Sequence, residues 1–177
     1  MIRTPDRDPW GRDLAGTFHE LTFESEALKG NPRGDPASRP LYVYTPPGYD
    51  DEPDRRYPSV YLLQGLTGQV DMWHARKAFT LPTPEAVDRR MSAEGATPAI
   101  VVYVDAWTSL GGSQFLDSAG TGRYHTYLCE EVVPLVGRET GAARERHAIV
   151  ASGSPRWSSF AGRLDHAQRR GLSSLGE

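Results

Sequence analysis

The sequence contains very little cysteine: Cys129 is the single cysteine among 177 residues. One cysteine cannot close a disulfide within the chain, and one thiol does not supply the ligand set of a zinc site. The histidines have no metal-like spacing to it or to the acidic residues. We therefore expect no disulfide scaffold, no metal site and no cofactor.

Long apolar runs and an excess of positive charge are also missing. The longest strongly apolar run, AIVVYV at 99–104, is far shorter than the ~20 residues that span a bilayer. The first residues, MIRTPD, contain no signal-peptide core. Lys and Arg number 20 against 23 Asp and Glu, a net charge of −3. We therefore expect a cytoplasmic protein with no membrane or nucleic-acid partner.

The apolar residues that are present fall into short periodic segments. Residues 17–24 and 39–45 alternate in polarity, which is typical of an antiparallel pair of half-buried strands. Residues 57–63 and 98–104 are nearly continuous apolar runs, which favour parallel strands covered on both faces. Between these two runs, Pro84 to Met91 predicts a helix with Thr83 as its N-cap.

The pattern continues with a helix and a strand. Apolar residues recur at helical spacing from Tyr124 to Val136, and residues 147–151 form a further short apolar run. Strands that alternate with helices indicate an α/β fold. We therefore predict a mostly parallel sheet with an antiparallel strand pair at its N-terminal side.

Several stretches, read in order, resemble the esterase family that includes esterase D, S-formylglutathione hydrolase, feruloyl esterases and the antigen 85 mycolyltransferases. The stretches are FESEALKGNPRGDPASR (23–39), LYVYTPPGY (41–49), YPSVYLLQGLTG (57–68), PAIVVYVD (98–105) and GGSQFLDSAGTGRYHTYLCEEVVP (111–134). The resemblance covers about residues 10–151. It implies a three-layer α/β-hydrolase fold, a small acyl-ester or thioester substrate, and acyl-enzyme chemistry at a Ser-His-Asp triad.

The turn after the third strand of this fold lends a backbone N–H to the oxyanion hole. QGLTG at 64–68 occupies that turn here. Gly65 lets the backbone approach a ligand closely, so the Leu66 N–H is the candidate donor. The family usually has His where this chain has Gln64. The alternative is a tight turn that needs glycine only for its dihedral angles.

Asp105 and Trp107 follow the fourth strand at its C-terminal end, where ligands meet open α/β sheets. With Gln64 they are the candidate lining of a substrate pocket. The alternative for Asp105 is that it caps the loop 106–109.

The resemblance departs from the family at the nucleophile. A Gly-x-Ser-x-Gly turn is required after the fifth strand, and the chain reads ASGSPR at 151–156. Ser152 and Ser154 are the candidate nucleophiles. Pro155 after Ser154 has no N–H for the oxyanion hole, and Val150 crowds the turn that Ser152 would need.

The acid and base of the triad are missing as well. Asp165 and His166 are the nearest acid and imidazole, and adjacent residues cannot fold back onto the preceding turn as orienter and base. We therefore expect an esterase-family chain that is inactive as it stands. The alternative is a non-catalytic remnant or a small interaction module.

These observations predict two regions. Residues 1–151 are the N-terminal part of an α/β-hydrolase domain, truncated after about the fifth strand, and 152–177 are a Ser/Gly/Arg-rich, poorly ordered tail that does not match the family. We attribute the change at this point to a frameshift or a premature end. Such a fold leaves the strand around Ile149 as an unpaired edge, so we expect self-association.

Overall fold

A computed structural model describes residues 11–140 and 147–151. In chain order the strands are β1 (Thr17–Glu24), β2 (Ser38–Thr45), β3 (Ser59–Leu63), β4 (Ile100–Val104), β5 (Trp107–Thr108), β6 (Gly111–Gly112), β7 (Asp117–Ser118), β8 (Gly122–Arg123) and β9 (His147–Ala151). The helices are α1 (Thr83–Met91), α2 (Tyr124–Thr126) and α3 (Val133–Glu139). A 3₁₀ helix covers Val70–His74, and a π-helix over Tyr127–Val132 joins α2 to α3.

Five strands form the main sheet, in the order β1-β2-β4-β3-β9. β2 is antiparallel to both of its neighbours, whereas β3 is parallel to β4 and to β9. Four of the five strands therefore run in one direction and β2 opposes them. This arrangement confirms the predicted α/β fold, with its N-terminal antiparallel pair followed by parallel strands.

β4 lies at the centre of the sheet and is buried on both faces. All five of its residues are buried, as the continuous apolar run predicts. Val101 and Tyr103 point to the face that carries the 3₁₀ helix and α1, while Val102 and Val104 point to the face that carries α2, the π-helix and α3. Helices on both sides of one sheet make the three layers that the family resemblance implies.

Helix α1 begins one residue earlier than the sequence predicts. Thr83 is the first helical residue rather than the N-cap; Pro82 holds the capping position, and no side chain caps the helix. The prediction of a Thr83 cap is wrong. Pro84 is the second helical residue instead of the first, and the first turn tolerates a proline at either position. The N–H that a proline lacks there has no intrahelical partner in any case.

The second helical region also differs from the prediction. It contains a π-helical segment and continues beyond Val136 to Glu139. Since Pro134 donates no N–H, the regular ladder is interrupted just before it, and the backbone widens there. Glu131 in this segment accepts hydrogen bonds from the Ala27 N–H at 2.7 Å and the Ser25 hydroxyl at 2.5 Å. These bonds tie the π-helix to the loop after β1.

Two further observations bear on the predictions. Within the described residues, β9 pairs with β3 alone, and the predicted tail 152–177 lies outside those residues. In the same part of the chain, none of the helices has the length and apolar character needed to cross a membrane.

Candidate active site

The candidate site lies at the edge of the sheet where β3, β4 and β9 end. Leu63, the last residue of β3, is in register with Val104 of β4 and with Ala151 of β9. Because these strands are parallel, the loops that follow them meet at one edge. This edge brings together the residues Gln64, Gly65, Leu66, Asp105 and Trp107. Ser152 and Ser154 follow β9 in the chain and lie outside the described residues.

The turn after β3 points the Leu66 backbone N–H away from the hydrogen bond that closes the turn. The Gly68 N–H donates to the Gly65 carbonyl at 3.0 Å, which closes the turn. In a trans peptide the N–H points opposite to the carbonyl, so the Leu66 N–H of the same peptide group points away from the turn. Within the described residues it has no acceptor. Leu66 itself is 47% exposed, so the residue that carries this N–H lies at the surface of the edge.

Two glycines of the neighbouring loop pack directly against this turn. The Gly112 N–H donates to the Leu66 carbonyl at 2.5 Å. A Cβ atom on Gly112 would lie 3.0 Å from the Gly65 oxygen and 3.1 Å from the Leu66 oxygen. Gly111 has φ +101° and equally little room. Sequence reasoning missed this support, although the Gly-Gly pair opens one of the stretches that resemble the family.

Gln64 is buried and connects the ends of β3 and β4. It is 1% exposed. In the amide orientation that satisfies both groups, its nitrogen donates to the Val104 carbonyl at 2.5 Å and its oxygen accepts from the Ala106 N–H at 2.7 Å. The amide is therefore committed to the protein, and it supports the turn from beneath.

Asp105 is held in a buried ion pair with Arg39, at the start of β2. Both residues are 4% exposed. The Arg39 Nη1 donates to Asp105 Oδ2 at 3.1 Å and to the Trp107 carbonyl at 2.8 Å, and Nη2 donates to the Tyr124 hydroxyl at 2.7 Å. Burial raises the pKa of Asp105. The charge of Arg39 and hydrogen bonds from the Trp107 and Val70 N–H groups lower this pKa, without fully offsetting burial.

Apolar side chains on the two loops are exposed at this edge of the sheet. Trp107 is 40% exposed and Leu110 65%. Together with Leu66, these side chains give the edge an apolar rim. A rim of this kind suits the apolar part of an acyl or alcohol group.

The remaining nucleophile candidate of the described chain is Cys129. Its sulfur lies 3.7 Å from His125 Nε2. Burial, followed by the charges of Glu130 and Asp117, raises the pKa of this thiol to about 11. The sulfur is therefore protonated at neutral pH, and the side chain packs against the core. Among the described residues, no three His, Cys, Asp or Glu side chains are grouped to hold a metal ion.

Comparison with known proteins identifies the family of this fold. The model of the family described as "Putative esterase" matches residues 36–154. No curated protein matches the chain in sequence.

Solved structures of esterases share the fold. The chain is similar to a ferulic acid esterase at 21% identity and a TM-score of 0.57, over 78% of this chain and 51% of that one. It is similar to a ferulic acid esterase from Anaeromyces mucronatus in complex with ferulic acid at 20% identity and a TM-score of 0.51, over 84% of this chain and 53% of that one. It is also similar to a variant of the feruloyl esterase module from Clostridium thermocellum complexed with sinapinate, at 17% identity and a TM-score of 0.52, over 77% of this chain and 45% of that one. The chain thus spans about half the length of these structures.

The close approach of Gly112 predicts a cost for any side chain there. Gly112→Ala places a methyl group against two carbonyl oxygens, and we expect a loss of about 1–3 kcal/mol in the free energy of unfolding. Gly137→Ala in α3 is the matched control, because its Cβ meets no atom within 4 Å. It should gain about 0.5–1 kcal/mol from helix propensity. Urea denaturation measures both; a Gly112→Ala protein as stable as the parent would contradict the packing.

Proposed function

The chain belongs to the esterase family, and on that premise we propose that it provides the oxyanion side of a site for small carboxylic esters or thioesters. The observation that carries the proposal is the Leu66 N–H, which lies at the edge where parallel strands end and has no acceptor among the described residues. We further propose that the polypeptide of residues 1–177 does not complete catalytic turnover by itself.

The proposed chemistry is acyl transfer through a serine and needs no cofactor. A serine oxygen attacks the ester carbonyl carbon, and the serine proton passes to a base. The carbonyl oxygen becomes an oxyanion, which accepts a hydrogen bond from the Leu66 N–H. Collapse expels the alcohol or thiol, and water then hydrolyses the acyl-enzyme. One such donor contributes about 10²- to 10³-fold in rate.

The pocket proposed for the substrate has an exposed wall and a buried floor. The Trp107 side chain forms the wall together with the apolar rim, and Gln64 and Asp105 form the floor from beneath. The likeness in fold to ferulic acid esterases supports an acyl ester as the substrate class.

Lack of turnover is proposed from the sequence that follows β9. The 177 residues contain no Gly-x-Ser-x-Gly turn. Ser152 and Ser154 stay the candidate nucleophiles, and Asp165 and His166 are too close to each other in sequence to act as acid and base on either. A site with a donor but without an activated serine binds an ester without cleaving it.

An ester assay tests this proposal. With p-nitrophenyl acetate, we expect the purified chain to release p-nitrophenol no faster than the assay buffer alone. The double variant Ser152→Ala/Ser154→Ala should match the parent chain. Hydrolysis well above that background, abolished by the double substitution, would contradict the proposed lack of turnover.

The edge position of β9 favours a second candidate function, a non-catalytic interaction module. Within the described residues β9 pairs with β3 alone, and open edges pair with other chains. We expect the chain to self-associate in size-exclusion chromatography. Ile149→Lys, which places a charge on this strand, should shift the protein toward the monomer. A monodisperse monomer of the parent chain would contradict the module.

A further inference from the structure

We infer that Arg39 is a positioning residue for the turn that carries the Leu66 N–H, and that it acts through Asp105 and the β5–β6 hairpin. The inference rests on the proposed function, since it assigns a role to that N–H. Arg39 lies outside the two loops of the site and is far from them in sequence.

Arg39 forms hydrogen bonds with the loop after β4. β2 is antiparallel to β4, with Leu41 in register with Val104. The strand therefore carries Arg39 past the end of β4, beside the loop. One guanidinium nitrogen donates to both the Asp105 carboxylate and the Trp107 carbonyl. This single group holds both ends of a three-residue segment.

That segment is connected to the turn after β3. The Val70 N–H, just beyond the turn, lies close enough to the Asp105 carboxylate to lower its pKa. Trp107 pairs across the hairpin with Gly112, whose N–H donates to the Leu66 carbonyl. The turn is thus held in its middle and at its end by groups that Arg39 orients.

The Gln64 amide completes the connection at the start of the turn. It bonds to the Val104 carbonyl and the Ala106 N–H, and Ala106 is the residue that Arg39 brackets. If the segment moves, the start of the turn loses its bonding partners as well. The direction of the Leu66 N–H therefore depends on three contacts that share one buried cation.

Arginine is required at this position for both its charge and its shape. A buried carboxylate without a counter-ion is costly, so Asp105 would take up a proton or admit water if the charge were removed. A lysine supplies the charge from a single nitrogen on a flexible stem and cannot span the acceptors that the planar fork reaches. The hydroxyl of Tyr124, the third acceptor, lies 3.5 Å from the Trp107 carbonyl and so belongs to the same bonded group.

Hydrogen exchange followed by mass spectrometry on the full chain tests the inference. For Arg39→Lys we expect the slow amides of segments 64–72 and 106–115 to exchange about tenfold faster, since their hydrogen bonds open locally. Segments 83–91 and 98–104 should stay within about twofold of the parent chain. Tyr49→Phe is the matched control, because it removes a tyrosine hydroxyl that donates to the Thr140 carbonyl at 2.8 Å, outside both segments; its effect on segment 64–72 should also stay within about twofold.

A second variant keeps the test decisive if Arg39→Lys does not fold. Asp105→Asn keeps the shape of the side chain and removes its charge, and it should speed exchange in the same two segments. Equal acceleration of all segments, no acceleration, or failure of both variants to fold would overturn the positioning role. Exchange is read without any ester, so such a result leaves the ester assay to decide the proposed function separately.

Discussion

The buried ion pair of Arg39 and Asp105 joins the antiparallel part of the sheet to its parallel part. Arg39 belongs to β2, and Asp105 follows directly on β4. Two charges removed from water are costly unless each is paired and hydrogen-bonded. Here the carboxylate meets a guanidinium and two backbone N–H groups. That requirement fixes the loop after β4, and the turn after β3 rests on this loop.

The sheet sets where the loops of the site begin, and contacts between the loops set how their backbone groups are oriented. The parallel strands β3, β4 and β9 end at one edge, where the loops that follow them begin, and β4 between them is buried along its whole length. The detailed direction of the Leu66 N–H comes from contacts between loops, above all from Gly112. A donor held in advance gains more from a developing oxyanion than one that must reorganise.

Hydrophobic periodicity predicts the fold well because it reports burial, which is a local property of each segment. It places all five strands of the main sheet within two residues of their bounds. It fails at the Thr83 cap and at the π-helix, where proline chemistry decides the backbone. The ion pair joins residues 66 positions apart, and no local pattern reports such a distance. One feature of the sequence does indicate it. Arg39 alternates with Leu41 and Val43 on the same face of the strand, which places a charged residue on a buried face.

A double-mutant cycle on this pair tests the central claim most directly. The free energies of unfolding of the parent chain, Arg39→Met, Asp105→Asn and the double variant would be measured in urea. Each single change leaves the other group buried without its charged partner and should cost about 3 kcal/mol. The double change should cost at least about 1.5 kcal/mol less than the sum of the two. Additivity within about 0.5 kcal/mol would contradict the claim that the pair holds the two parts of the sheet and the site together.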